Sequence, residues 1–287
     1  MAKQLLGLPV ANALTERLLA RREALAAEGT TPTLAIVRVG AREDDLAYER
    51  GAEKRCAKIG IDVRKFVLDA TCTQNDLLDV IATVNGDPSI HGCLMFRPLP
   101  RSLDEGEACA ALDPAKDVDG ITPGSLFGVF ANAPVGFAPC TAEACIELLD
   151  HYEYELEGAN VVVIGRSLVI GKPVSLMLQA RNATVTMCHT RTRDLDALCR
   201  RAQIVVVAAG HPRTLGAGAV APGQVVVDVG INWDASANKL CGDAAFEEVE
   251  PIVGAITPVP RGVGSVTTAI LAKHVIEAAE RASKQAR

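Results

Sequence analysis

The sequence predicts an α/β protein of two domains built on parallel sheets. Three observations carry this. Short apolar, β-rich runs alternate with helix-like stretches, which is the rhythm of right-handed βαβ crossovers. In the second half those runs are almost continuously apolar, as where helices cover both faces of a parallel sheet. The length of 287 residues also exceeds the roughly 150 of a common domain nearly twofold.

The elements follow in order. A helix-like stretch over 4–27 ends near Gly29, and a β-rich run over 33–39 ends at Gly40. A helix is expected over 44–58, stopped by Gly60, then a strand over 62–68. Thr73 is placed to cap a helix over 76–85, with Gly86 and Pro88 behind it. The run 92–96 reads as a strand that breaks at Pro98 and Pro100. In the second half a helix over 141–151 leads into strands at 160–164, 184–187, 203–208 and 224–228. A last helix over 266–282 follows a Pro/Gly-rich segment, 257–264. Ligands on such sheets bind at the carboxyl ends of the strands. That puts the loops near Gly40, Phe96 to Pro98 and Asp117 to Gly120 on one rim.

Composition narrows the function classes. Hydrophobic residues are 49% and charged residues 22%, which excludes a disordered chain, a collagen-like repeat and a coiled-coil rod. The net charge of -6 gives no general attraction to nucleic acid or an anionic membrane. No apolar run approaches the roughly 20 residues that cross a bilayer, and residues 1–14 lack a signal-peptide pattern, so a cytoplasmic protein is expected. The nine cysteines are scattered without a C-x-x-C pair and read as reduced, buried thiols. Cys188 and His189 lack a second pair at ligand spacing, and no metal is expected.

The segment from Gly165 through Arg166, Ser167 and Gly171 to Pro173 follows one strand and opens a helix. Glycine there permits a tight turn, and the free N–H groups of the helix start favour phosphate. Alone, such a turn is also ordinary α/β punctuation. The next strand ends in Cys188-His-Thr190-Arg191-Thr192, where a nucleotide ribose would fall. An acidic residue there would favour NAD, whereas hydroxyl and guanidinium groups suit a 2′-phosphate, so NADP is the expected cofactor. Asp228 ends another apolar strand on the same rim, as either a site residue or a turn-former.

Taken together, these residues resemble the methylenetetrahydrofolate dehydrogenase/cyclohydrolase family over nearly the whole chain. The resemblance is carried by Tyr48, Pro98-Leu99-Pro100, Lys116-Asp-Val-Asp119-Gly120, Pro139-Cys-Thr141, Gly165-x-Ser167-x-x-x-Gly171-x-Pro173, Asp228-Val-Gly-Ile231-Asn232, Gly242-Asp243, Thr257-Pro-Val-Pro260 and Gly262-Val-Gly264. It implies a folate-binding α/β domain, residues 1–142 and 265–287, and a Rossmann-like NADP-binding domain, residues 143–264, with the active site in the cleft between them. It implies a homodimer acting on a tetrahydrofolate derivative. Tyr48 and Asp119 are then the catalytic candidates, with Asp119 on the pterin ring. Pro98, Leu99, Pro260 and Gly262 would also meet the folate. Gly165, Arg166, Ser167, Gly171, Thr190, Arg191 and Ile231 would meet NADP.

Hydride transfer from 5,10-methylenetetrahydrofolate to NADP follows from the resemblance. The family's second step, hydrolysis of the methenyl product to 10-formyltetrahydrofolate, is attributed to Tyr, a Lys four residues on, and a Gln before Pro-Leu-Pro. Here Ala52 and Phe96 hold the latter two positions. Lys54 points about 120° away from Tyr48 at ~100° per residue. Arg55 is no base, because guanidinium does not deprotonate in proteins. A dehydrogenase with weak or absent cyclohydrolase activity is therefore expected. The alternatives are a bifunctional enzyme in which Lys54 or Lys116 replaces the lysine, and a non-catalytic folate-binding protein. Arg261 stands where the family has Gly, with either a ligand contact or a solvated loop as its reading.

Overall fold

The computed structural model describes residues 1–235 and 238–285. Its strands are β1 (Lys3–Gln4), β2 (Thr33–Val39), β3 (Asp62–Leu68), β4 (Gly92–Met95), β5 (Asn160–Ile164), β6 (Thr184–Cys188), β7 (Ile204–Val207), β8 (Val225–Asp228), β9 (Asn232–Asp234), β10 (Lys239–Cys241) and β11 (Ala255–Ile256). The chain divides into two compact units, Ala13–Cys140 with Thr268–Arg287, and Met1–Asn12 with Thr141–Thr267. The first twelve residues thus part from the stretch 13–140 with which the sequence groups them. The cause is β1, which pairs in parallel with β11, Lys3 against Ala255 and Gln4 against Ile256. A two-residue strand has no periodicity to read.

The unit containing Ala13–Cys140 is built on a parallel sheet in the order β3-β2-β4. Central β2 is buried throughout. On one face Ala35, Val37 and Val39 share a core with Leu77, Ile81 and Val84 of the Gln74–Gly86 helix. That helix starts at Thr73 with a full capping box closed by Asp76, as the sequence signals. On the opposite face Arg38 meets Glu49 of the Glu43–Ile59 helix at 2.8 Å. Two short helices, Glu105–Ala111 and Pro123–Ala131, are capped by Asp104 and Thr122. Residues 116 and 117 run beside β4, with Cys93 N–H donating to Lys116 O.

The other unit carries a six-stranded sheet in the order β1-β11-β8-β7-β5-β6, every pair parallel. The chain leaves β5 to one side for β6 and returns on the other for β7, so the switch point of this doubly wound sheet lies between β5 and β7. Val162, Ile164, Val205, Val207 and Val226 fill the core beneath. An antiparallel hairpin, β9 with β10, projects after β8. Among the described residues, no helix is long and apolar enough to cross a membrane.

Candidate active site

In the first unit the site candidates gather at the carboxyl ends of β2 and β4. Tyr48, half-buried on the second turn of its helix, meets Phe96 edge-on with ring centroids 6.0 Å apart. The Pro98-Leu99 loop is pinned from two sides. Glu105 Oε2 accepts from Leu99 N–H at 2.9 Å, and Arg42 Nη1 donates to Pro98 O at 3.1 Å. Both carboxylates of Asp117-Val-Asp119-Gly120 are resolved into different roles. Asp117 is fully buried and accepts from Ile121 and Thr122 N–H, which makes it the turn-former. Asp119 is half-buried and accepts neither of these N–H groups. Burial pushes its carboxyl up to about 6; the Cys140 thiol donates to it and pulls the other way, Asp117 adds to the rise, and Arg97 and His274 oppose it. A carboxyl near 6 exchanges protons readily at neutral pH.

Ala52 is fully buried, one turn after Tyr48. Neither lysine proposed in its place reaches this rim. The Glu43–Ile59 helix is continuous and Lys54 is exposed on it, with no shift of register. Lys116 donates to Val84, Asn85 and Asp87 carbonyls at 2.7, 2.9 and 2.7 Å. It thereby caps the end of the Gln74–Gly86 helix, before β4 begins rather than after it ends. Both assignments are corrected accordingly.

Two charged groups here have no role in the sequence reading, Arg97 within the predicted rim loop and Arg38 inside β2. Arg97, directly after Phe96, lies 3.5 Å from Glu105, and its charge acts on Asp119. Arg38 is 8% exposed, unusual for a strand arginine. Its partner Glu49 also accepts from Lys65 at 3.0 Å. Burial alone would raise the Glu49 pKa, but these two donors outweigh it and hold the carboxylate below its ordinary value.

In the second unit the Gly165–Gly171 loop leaves the end of β5 at the switch point. Gly165 has φ +133°, and a Cβ there would stand 2.1 Å from Ala208 O; one on Gly171 would stand 2.3 Å from Gly165 O. Only glycine allows this fold-back. Ser167 Oγ accepts from Ile170 N–H at 3.1 Å, and the Gly171–Ala180 helix begins at the loop's end. Arg166 and Ser167 are exposed. After β6, His189 Nδ1 accepts from Arg191 N–H at 3.1 Å and Thr192 Oγ1 from His189 N–H at 2.8 Å. That turn leaves Thr190 and Arg191 exposed on the neighbouring strand end. A cradle that any Cβ would fill, a helix start and an adjacent hydroxyl–guanidinium pair without a carboxylate fit a dinucleotide bearing a 2′-phosphate.

The remaining candidates, Ile231, Pro260 and Gly262, line a cavity of about 260 Å³ at the end of β8. Asp228, whose sequence reading was open, is a loop organiser. Its oxygens accept from Gly230, Asp243 and Ala244 N–H at 3.0, 2.9 and 2.8 Å, though burial still pushes it up to about 6. Asp243 in turn accepts from Ala209 and Gly210 N–H at 2.7 and 2.8 Å, tying the β7 and β8 loops together. Ile231 is 67% exposed. Arg261 occupies φ +87°, a conformation costing a side-chain-bearing residue about 1–2 kcal/mol.

Comparison with known proteins also divides the chain near residue 140. Residues 139–283 match the model of the tetrahydrofolate dehydrogenase/cyclohydrolase NAD(P)-binding domain, and residues 5–119 that family's catalytic domain. A protein of Carboxydothermus hydrogenoformans named bifunctional protein FolD is 50% identical over 98% of both chains. The crystal structure of the Campylobacter jejuni bifunctional FolD, a methylenetetrahydrofolate dehydrogenase/cyclohydrolase, superposes with TM-score 0.94 at 36% identity, covering 98% of this chain and 99% of that one. The Trypanosoma brucei dehydrogenase-cyclohydrolase, solved with NADP cofactor and an inhibitor, gives TM-score 0.91 at 31% identity over 99% of each chain.

Proposed function

Because the chain belongs to the tetrahydrofolate dehydrogenase/cyclohydrolase family, we propose that it is bifunctional. It oxidises 5,10-methylenetetrahydrofolate and hydrolyses the methenyl product to 10-formyltetrahydrofolate. It is an NADP-dependent methylenetetrahydrofolate dehydrogenase. The observation that carries the second activity is the 50% identity, over 98% of both chains, to a protein named as bifunctional. This corrects the expectation, drawn from Ala52 and Phe96, of weak or absent cyclohydrolase activity. It equally corrects the reading as a non-catalytic folate-binding protein.

NADP, when bound, accepts the hydride of the one-carbon bridge. The Gly165–Gly171 loop holds its diphosphate at the helix start, with Ser167 and Arg166 on the loop's outer face. Thr190 and Arg191 take the 2′-phosphate, and Ile231 offers apolar surface to the cofactor. Asp119 binds the pterin, while Pro98, Leu99, Pro260 and Gly262 pack on the folate. In the hydrolytic step a water oxygen bonds to the methenyl carbon and the carbon's bond to N5 breaks. One water proton ends on N5 and the other is released. Asp119, with a carboxyl near 6, accepts and passes on that proton. The Tyr48 hydroxyl orients the water.

Exchange of Tyr48 for Phe tests this assignment. Hydrolysis should fall about 10- to 100-fold, with hydride transfer reduced far less; equal losses would remove Tyr48 from the hydrolytic step. We infer a cytoplasmic homodimer without nucleic-acid or membrane partners. Nine free cysteines support a reducing compartment, and the acidic net charge of -6 speaks against polyanion binding. A solution mass of 30.2 kDa by light scattering would be that of the single chain and would sink the dimer.

A further inference from the structure

The cavity at the end of β8 is walled largely by apolar groups, among them Ile231, Leu240, Pro258, Val259 and Pro260. Two charged residues line it, Asp228 and Arg261. Asp228 is saturated by three backbone N–H groups. Arg261 is exposed, and among the described residues its guanidinium has no hydrogen-bond or ion-pair partner. Its backbone is held nonetheless. Arg261 O accepts from Gly7 N–H at 2.8 Å, and the following Gly262 is packed so that a Cβ would stand 2.6 Å from Pro258 O. The side chain is therefore presented from a fixed position at φ +87°, where glycine would sit with less strain. A strained residue with an unpaired cation on a ligand cavity is a functional signature rather than a packing one.

Given the folate reading above, on which this rests, we infer that Arg261 binds a carboxylate of the substrate's glutamate chain and sets affinity for the folate. An apolar wall beside a single cation suits a benzoyl ring whose amide-linked glutamate carries a carboxylate, which guanidinium engages through two parallel N–H donors. The cofactor's phosphates are the other anions available. Their cradle lies at the ends of β5 and β6, whereas Arg261 lies beyond β8, with β7 between β8 and β5.

The test compares wild type with Arg261→Gly and Arg261→Lys in the coupled NADP reduction assay, at low and at about 0.5 M salt. Arg261→Gly should melt no lower than wild type, which separates a binding loss from misfolding. Its KM for 5,10-methylenetetrahydrofolate should rise about three- to tenfold at low salt, with Arg261→Lys between the two. High salt should narrow the difference in folate KM between wild type and variant, while the variant's KM for NADP matches wild type's at each salt concentration. An unchanged folate KM would overturn the inference, as would a rise confined to the NADP KM, which would assign Arg261 to a phosphate. Wild-type protein without turnover would instead remove the functional reading itself.

Discussion

Asp119→Asn lowers kcat/KM for hydride transfer and for hydrolysis by about 100-fold or more, and makes the protein more stable at pH 8. The two effects share one cause. The carboxyl titrates at about 6 in the folded chain against an ordinary 3.8. The stability it contributes is therefore fully present below about pH 3.8 and is lost as pH rises through 6. At pH 8 wild type carries a desolvated carboxylate, opposed only in part by Arg97, His274 and the Cys140 thiol. An amide of the same shape carries no charge there. Thermal melts across pH 4 to 8 should show the variant drawing ahead of wild type as pH rises, while activity stays low throughout. A variant less stable by the same margin at every pH would make Asp119 a structural residue like its neighbour Asp117.

Gly171→Ala weakens NADP binding about 10- to 100-fold. Its new Cβ would lie 2.3 Å from Gly165 O and 2.7 Å from Arg166 N, so the loop must open by an ångström or more. Every N–H proposed to meet the diphosphate then moves with it. The displaced atoms are backbone, which no side-chain rotamer can accommodate. Titration of the cofactor against intrinsic fluorescence reads the loss, and an unchanged affinity would detach this loop from the dinucleotide. The core strand β5 ahead of the loop is already complete at Ile164, so the melting temperature should fall much less than binding.

Much of this was legible in the sequence because the determinants are local. β2, β5, β7 and β8 are apolar runs that only a covered sheet can bury, and the Thr73 cap is written in side chains three residues apart. The Gly165–Gly171 turn was legible for the same reason, since its glycines mark close backbone approach. Other features depend on distant partners. β1 is a strand because it pairs with β11 across the length of the chain, and the two-residue β11 because it lies between β1 and β8. The β9–β10 hairpin lacks the alternation that would announce it.

The site shows the same split. Sequence could place Asp117 and Asp119 in one turn but not tell which was saturated, because their donors and the burial that raises Asp119 come from folding. Lys116 looked available as a base until three carbonyls were seen to occupy its ammonium. Ala52 and Phe96 were read as departures from the family pattern. The step from them to a missing activity is contradicted by the 50% identity, over 98% of both chains, to a protein named as bifunctional.

The central claim, one chain catalysing both steps, is tested most directly by supplying 5,10-methylenetetrahydrofolate and NADP to purified protein. NADPH and methenyltetrahydrofolate are then followed together at their two wavelengths. The account predicts NADPH formation with little methenyl accumulation and 10-formyltetrahydrofolate as the product. Stoichiometric build-up of methenyltetrahydrofolate, decaying no faster than in buffer, would contradict it.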